Sequence, residues 1–320
     1  MQLLAPLIAL LGLATTVEGA CSGPNTRTTP PPGAIVVDAT GAQRGSFRTV
    51  AQGVAKLSAS TTPQTIFVFP GYTCDTMAYG ANQVLITQAK AQKDIPASVV
   101  KNRNDLTTTL LLKSDNVKVY NLNVANTAGN VGQAIAVKAD GANYGFYACK
   151  FLGYQDTLCA NKGPNLYARS YINGAVDFVF GLYAKAWFES CDIVSLGKGC
   201  IAAKGRDSGA NPSQYVFNNA RVTGTGGIGS AYLGRPWKPY SRVVWQNSGL
   251  SNVINPQGWQ KWNGDNNVAN VYFKEFNNRG AGAATNKRAG FSGWLAKAVP
   301  ITDILGANYR TQWWVDTRYL

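Results

Sequence analysis

The chain has 320 residues, 45% of them hydrophobic, enough to bury a full core in one large domain or two small ones. Only 14% are charged and 34 are glycine, a balance that suits a turn-rich, strand-rich protein better than a helical one. The formal net charge is +14 and there is no histidine. That excludes Ser-His-Asp triads, Cys-His pairs, HExxH zinc sites and any histidine base, and leaves carboxylates, amides, Arg, Lys or Tyr to carry whatever chemistry there is.

Residues 3–17, LLAPLIALLGLATTV, form an apolar run too short and too interrupted by Pro6 and Gly12 to span a membrane. It ends in small residues, which predicts a secretory signal over 1–19, cleaved near Gly19 or Ala20, and a soluble, secreted, extracellular mature protein. Residues 20–33, rich in Ser, Thr, Pro and Gly, read as an N-terminal extension. From residue 34 onward a single domain is expected.

Export permits disulfides among Cys21, Cys74, Cys149, Cys159, Cys191 and Cys200, with the pairing left open; buried free thiols are the other reading. A basic exported protein points to an acidic partner such as a polyanionic polysaccharide, against the plainer reading of a merely soluble basic surface.

Residues 34–38 and 65–69 read as short apolar strands, and 46–57 has helical spacing through Phe47, Val50, Val54 and Leu57, with Ser46 as the candidate N-cap. From about residue 106 the chain repeats itself. An aromatic or apolar residue is followed after three positions by a small or apolar one, and after two more by an apolar one. The unit occurs at Val119/Leu122/Val124, Phe146/Cys149/Phe151, Tyr167/Ser170/Ile172, Phe188/Cys191/Ile193, Phe217/Ala220/Val222 and Trp245/Ser248/Leu250.

The first positions are spaced 27, 21, 21, 29 and 28 apart. A unit of 21 with longer insertions is the mark of a solenoid whose coils carry loops of different length. Strand-forming residues and Asn-rich corners make it an all-β solenoid, a right-handed parallel β-helix. An antiparallel sandwich is the competing architecture. Residues 274–297 read as loops, and 301–305 as a short helix that folds back over the coils together with the chain end.

Asp156 follows Phe151 by five residues, and Asp177 follows Ile172 by five. The two therefore hold one place on successive coils, about 4.8 Å apart at the backbone. Two carboxyl groups so close cannot both ionise easily, so the pair offers one acid and one nucleophile or base. Two turn aspartates capping the backbone are the structural alternative. Arg235 could hold the ionised partner, and the neutral amides of Gln133 and Gln155 could hold a developing oxyanion.

The strings GQAIAV (132–137), GYQDTL (153–158), GAVDFVFG (174–181) and YLGRPW (232–237), with the closing WVDTRYL, resemble pectin methylesterases, the pectinesterases, over about residues 34–320. The resemblance implies a parallel β-helix, no cofactor and no metal. It implies pectin as partner, with no nucleic acid and no membrane, for a monomeric enzyme.

It further implies Asp177 as nucleophile on a galacturonosyl C6 methyl ester, Asp156 as acid and then base, Gln133 and Gln155 as oxyanion hole, and Arg235 as the group orienting Asp177. Trp237 would wall the sugar groove, with Tyr154, Phe178 and Val179 as further groove residues. The chain departs from the family where a segment of about twenty residues carrying Gly-x-Tyr-x-Glu would follow Gly71, and at Lys204, where Gln or Asn is usual; Cys159 is also unusual. Two other readings stay open at this point: a catalytically inactive pectin-binding wall protein, and another pectin-degrading β-helix enzyme.

Overall fold

The computed structural model describes residues 29–59, 62–69, 79–263 and 267–320. The signal segment, nearly all of the N-terminal extension, Cys21, Cys74 and the shortened junction at 70–78 lie outside the described residues. The chain groups into two compact units, Met1–Asp75 and Thr76–Leu320.

In the first unit, strands Ile35–Asp38 and Ile66–Phe69 pair in parallel, Ile35 opposite Ile66. The helix between them is shorter than the apolar spacing predicts, Val50–Val54. Thr49, not Ser46, caps it: the Gln52 amide N–H donates to Thr49 Oγ1, and the Thr49 N–H donates to Gln52 Oε1, each at 3.2 Å. Phe47 bridges to Val37 instead, which holds the preceding residues extended. Gly53 faces the strand so closely that a Cβ would come within 2.6 Å of a Val37 methyl.

The second unit is a parallel β-helix. Three sheets of six, eight and seven strands run its length, and every pairing within them is parallel. The repeat read from the sequence is the stacking register itself. Val119, Phe146, Tyr167, Phe188, Phe217 and Trp245 face one another in order along the eight-stranded sheet. Val124, Phe151, Ile172, Ile193, Val222 and Leu250 do the same along the seven-stranded sheet.

Between the two rows each coil turns through one left-handed residue: Asn121, Ala148, Arg169, Ser190, Asn219 and Asn247, all with φ near +50°. Asparagine recurs there because its short amide side chain tolerates that conformation and bonds to the next corner. The Asn277 amide, for example, donates to Asn247 Oδ1 at 3.1 Å.

Like residues at equal height build a ladder. Phe146, Tyr167, Phe188, Phe217 and Trp245 stack ring on ring at centroid separations from 4.9 down to 3.9 Å, within 11° of parallel. The opposite face of the same sheet presents Tyr147, Leu166, Trp187, Val216 and Val244 outward, and the chain end covers them with Ile304, Leu305, Tyr309, Trp314, Val315 and Tyr319. The fold-back of the C-terminus over the coils is thus as expected, with the helix at Thr302–Leu305.

The expectation of loops over 274–297 is corrected. Tyr272–Phe276 and Ser292–Trp294 are strands that extend the eight-stranded sheet. Their charges disguise them as loops in the sequence, whereas in the fold Glu275 is neutralised by Arg288, with both side chains 3% exposed. No helix among the described residues is long and apolar enough to cross a membrane.

Candidate active site

The site lies on the outer face of the six-stranded sheet, built from Leu110–Leu112, Val137–Ala139, Leu158–Ala160, Val179–Gly181, Gly199–Lys204 and Ala231–Pro236. Asp156 and Asp177 each precede their strand by two residues, and the register Leu158 opposite Val179 puts them level on adjacent coils. The Asp156 amide N–H donates to Val176 O (3.1 Å), and that of Asp177 to Cys200 O (2.8 Å).

Both aspartates are left-handed, at φ 63° and 50°. That turn folds the next side chain back over the glycine that opens each motif. A Cβ on Gly153 would lie 2.6 Å from Thr157 Oγ1, and one on Gly174 would collide with Phe178 Cβ. Gly-x-x-Asp is therefore a local device that aims a carboxyl group outward just before a central strand, at the cost of a backbone conformation that non-glycine residues seldom adopt.

The two carboxyl groups, alike in sequence, differ in partner. Arg235 forks onto Asp177, Nε to Oδ1 at 2.9 Å and Nη2 to Oδ2 at 2.7 Å. Burial works against the Arg235 charge, but the bonds and the charge of Asp177 outweigh it and hold the guanidinium above its ordinary pKa. Asp156 has no such fork. Burial first, then the neighbouring Asp177 charge, push its carboxyl well above the usual carboxylate range, and Arg235 offsets this only in part.

Gln133, one coil before Asp156, and Gln155, next to Asp156 on its own coil, are half-buried, and among the described residues neither side-chain amide bonds to protein. Their backbones are fixed: Gln155 O accepts from Ala134 N at 3.1 Å, and Gln133 O from Gln92 N at 2.8 Å. Their side-chain amides are thus without a protein acceptor among the described residues.

An apolar strip flanks the pair. Ile135, Cys159, Phe180 and Ala203 form one cluster, with Trp237 and Trp262 packed on it. Phe180 meets Trp237 edge to face at 6.2 Å. Arg235 lies over the Trp262 ring at 4.3 Å, so its face is stacked while its edge grips Asp177.

Tyr154, half-buried two residues before Asp156, leans its hydroxyl on Gly197. Phe178 and Val179 are the correction: both are fully buried in the interior cluster and have no surface to offer a sugar. The left-handed Asp177 resets the inward–outward alternation, so Phe178 and Val179 both point inward and Phe180 points out. Phe180 and Trp262 are the site residues missed. Phe180 was legible from the register with Cys159, whereas nothing in the sequence around Trp262 tied it to the site.

The pectinesterase family model matches residues 34–304. The chain belongs to the pectinesterase family. A pectinesterase of Aspergillus aculeatus is 42% identical over 322 residues, covering 92% of this chain and 94% of its own. The crystal structure of the pectin methylesterase from Aspergillus niger, 33% identical, matches with a TM-score of 0.80 over 92% of this chain and 99% of that one. Pectin methylesterase from carrot, at 27% identity, matches with a TM-score of 0.75 over 88% and 97%. Pectinesterases are carboxylic ester hydrolases, and by family this pectinesterase chain is one.

Proposed function

We propose that the protein hydrolyses the C6 methyl esters of galacturonosyl residues in pectin, with Asp177 as nucleophile and Asp156 as general acid and then base. The observation that carries the reading is the pair of level carboxyl groups of which only Asp177 is gripped by Arg235. A forked guanidinium favours the ionised carboxylate and fixes its orientation, which suits attack on an ester carbonyl. A buried carboxyl that keeps its proton suits donation to a leaving group.

In the first half, an Asp177 oxygen bonds to the ester carbon, the carbonyl electrons move onto oxygen, and the amides of Gln133 and Gln155 donate to that oxyanion. Collapse expels the methoxy group, which takes the Asp156 proton and leaves as methanol. In the second half, Asp156, now a carboxylate, removes a proton from water as it attacks the acyl carbon. Collapse expels Asp177 as carboxylate and leaves the galacturonosyl carboxylic acid, which gives its remaining proton to solvent and departs as carboxylate, with Asp156 again protonated. Trp237, with Phe180 beside it, supplies an apolar wall for sugar faces.

The N-terminal apolar run with its small-residue end supports an exported enzyme acting outside the cell. The test is methanol release from highly methylated pectin by the parent beside Asp177→Ala. Release by the parent and a loss of about a thousandfold or more in the variant is the expected outcome. A well-folded parent that binds pectin and releases no methanol overturns the esterase reading in favour of a non-catalytic binder.

A further inference from the structure

Lys204 ends the strand Gly199–Lys204 with no solvent-accessible surface, an unusual place for an ammonium group. Its Nζ donates to three backbone carbonyls: Leu182 O at 2.6 Å, Gly205 O at 2.9 Å and Gly181 O at 3.3 Å. It also sits over the Tyr215 ring at 5.0 Å.

Those carbonyls belong to two segments that carry the apolar wall beside the aspartates. Gly181 and Leu182 follow Phe180 directly. Gly205 lies under the Trp237 indole, where a Cβ would come within 2.8 Å of Trp237 Cε3 and 2.6 Å of a Leu182 methyl. One buried cation therefore joins the backbone beneath Phe180 to the backbone beneath Trp237.

We propose that Lys204 is a positioning residue for the substrate groove, its ammonium stapling the Phe180 and Trp237 supports into one rigid wall. This rests on the esterase reading for its substrate, but not for its geometry. The charge state matters by simple count. An ammonium has three hydrogens for three carbonyls, whereas a neutral amine has two and turns a lone pair toward the third.

The groups facing Lys204 are the Cys159 thiol from Leu158–Ala160, Tyr215 from Gln214–Asn218, and Arg206 and Asp207 from the loop that follows. Burial lowers the ammonium to about 7, with Cys159 and Asp207 opposing and Arg206 adding to the fall. The staple is accordingly complete below neutrality and loosens above it.

The experiment measures kcat and KM on a fully methyl-esterified oligogalacturonide, which is uncharged, so loss of a lysine charge does not itself alter attraction. Parent, Lys204→Met and Lys204→Gln are compared at about pH 6 and about pH 8. The expected result is a parental KM that rises about three- to tenfold across that interval. Both variants should show the raised KM at either pH, with kcat following the parent's course.

A flat parental KM, or folded variants that keep the parent's KM and its pH course, overturns the proposal. So does a fall in apparent kcat at unchanged KM at both pH values together with a lowered melting point, the pattern of a residue needed only for stability. Should Lys204→Met fail to fold, Lys204→Gln and the parent's own pH course still decide. Should the parent release no methanol, the same oligomer is an inert ligand whose Kd by calorimetry replaces KM. The esterase reading then falls while the staple is still tested.

Discussion

Asp156 and Asp177 are the same amino acid in the same left-handed turn, one coil apart, and their chemistry diverges through their neighbours. Asp177 receives both arms of Arg235, and Asp156 receives burial and a like charge. The difference has a consequence for stability. A carboxyl raised in the folded state holds a proton there that the unfolded chain releases from the ordinary value of 3.8 upward. The unfolded state then binds fewer protons than the folded one, so stability falls as pH climbs from that value toward the raised one. Asp156→Asn cannot ionise and lacks this slope. Thermal midpoints followed from about pH 4 to about pH 8 should drift apart, the variant gaining on the parent as pH rises. Parallel curves would mean that Asp156 ionises freely in the fold and would remove its claim to be the acid.

At the scale of the element, the coil is held by what repeats. The inner row of the eight-stranded sheet is a run of stacked rings, and each ring packs mainly on the coil before and the coil after. Stability in such a stack is close to a sum of nearest-neighbour terms. Phe217 lies between Phe188 at 4.3 Å and Trp245 at 3.9 Å, fully buried. Phe217→Ala removes two ring contacts and leaves a cavity that flat neighbours cannot close, a loss of about 3–5 kcal/mol. Urea unfolding measures it, and a loss below about 1 kcal/mol would show that the ladder is not the spine of the coils. The covering segment from Ile304 to Tyr319 plays the matching part outside, hiding an outer face of the sheet that would otherwise expose Leu166, Trp187, Val216 and Val244.

For the whole molecule the deciding quantity is charge. The chain carries 30 Lys and Arg against 16 Asp and Glu. On the esterase reading each turnover adds a carboxylate to the polymer, so the product is drawn to the protein more strongly than the substrate. Binding of partly de-esterified pectin should weaken steadily with added salt, while binding of the fully methylated polymer stays nearly level. Affinity for the de-esterified polymer that does not change between low and high salt would contradict this. The same attraction favours repeated action along one chain, which the distribution of product carboxylates would display as blocks.

The coil register and the acidic pair were legible in the sequence alone, and for one physical reason. In a parallel solenoid each residue packs on the residue one coil away, so the contact that stabilises the fold is also a short, fixed interval along the chain. Phe146, Tyr167 and Phe188, or Asp156 and Asp177, announce their adjacency by recurring 21 residues apart.

What the sequence left undecided depends on local twists and distant loops. Phe178 and Val179 turn inward because Asp177 adopts φ 50°, which no alternation rule anticipates. Trp262 reaches Arg235 from a loop that follows the bridge between Gly234 and Trp259, with no interval to betray it. The strands at Tyr272–Phe276 and Ser292–Trp294 hide behind charges that only the folded chain neutralises, through the pairing of Glu275 with Arg288. Interval-coded contacts can be read along one dimension; the direction of a side chain after a left-handed turn, and the arrival of a loop, are decided only in three.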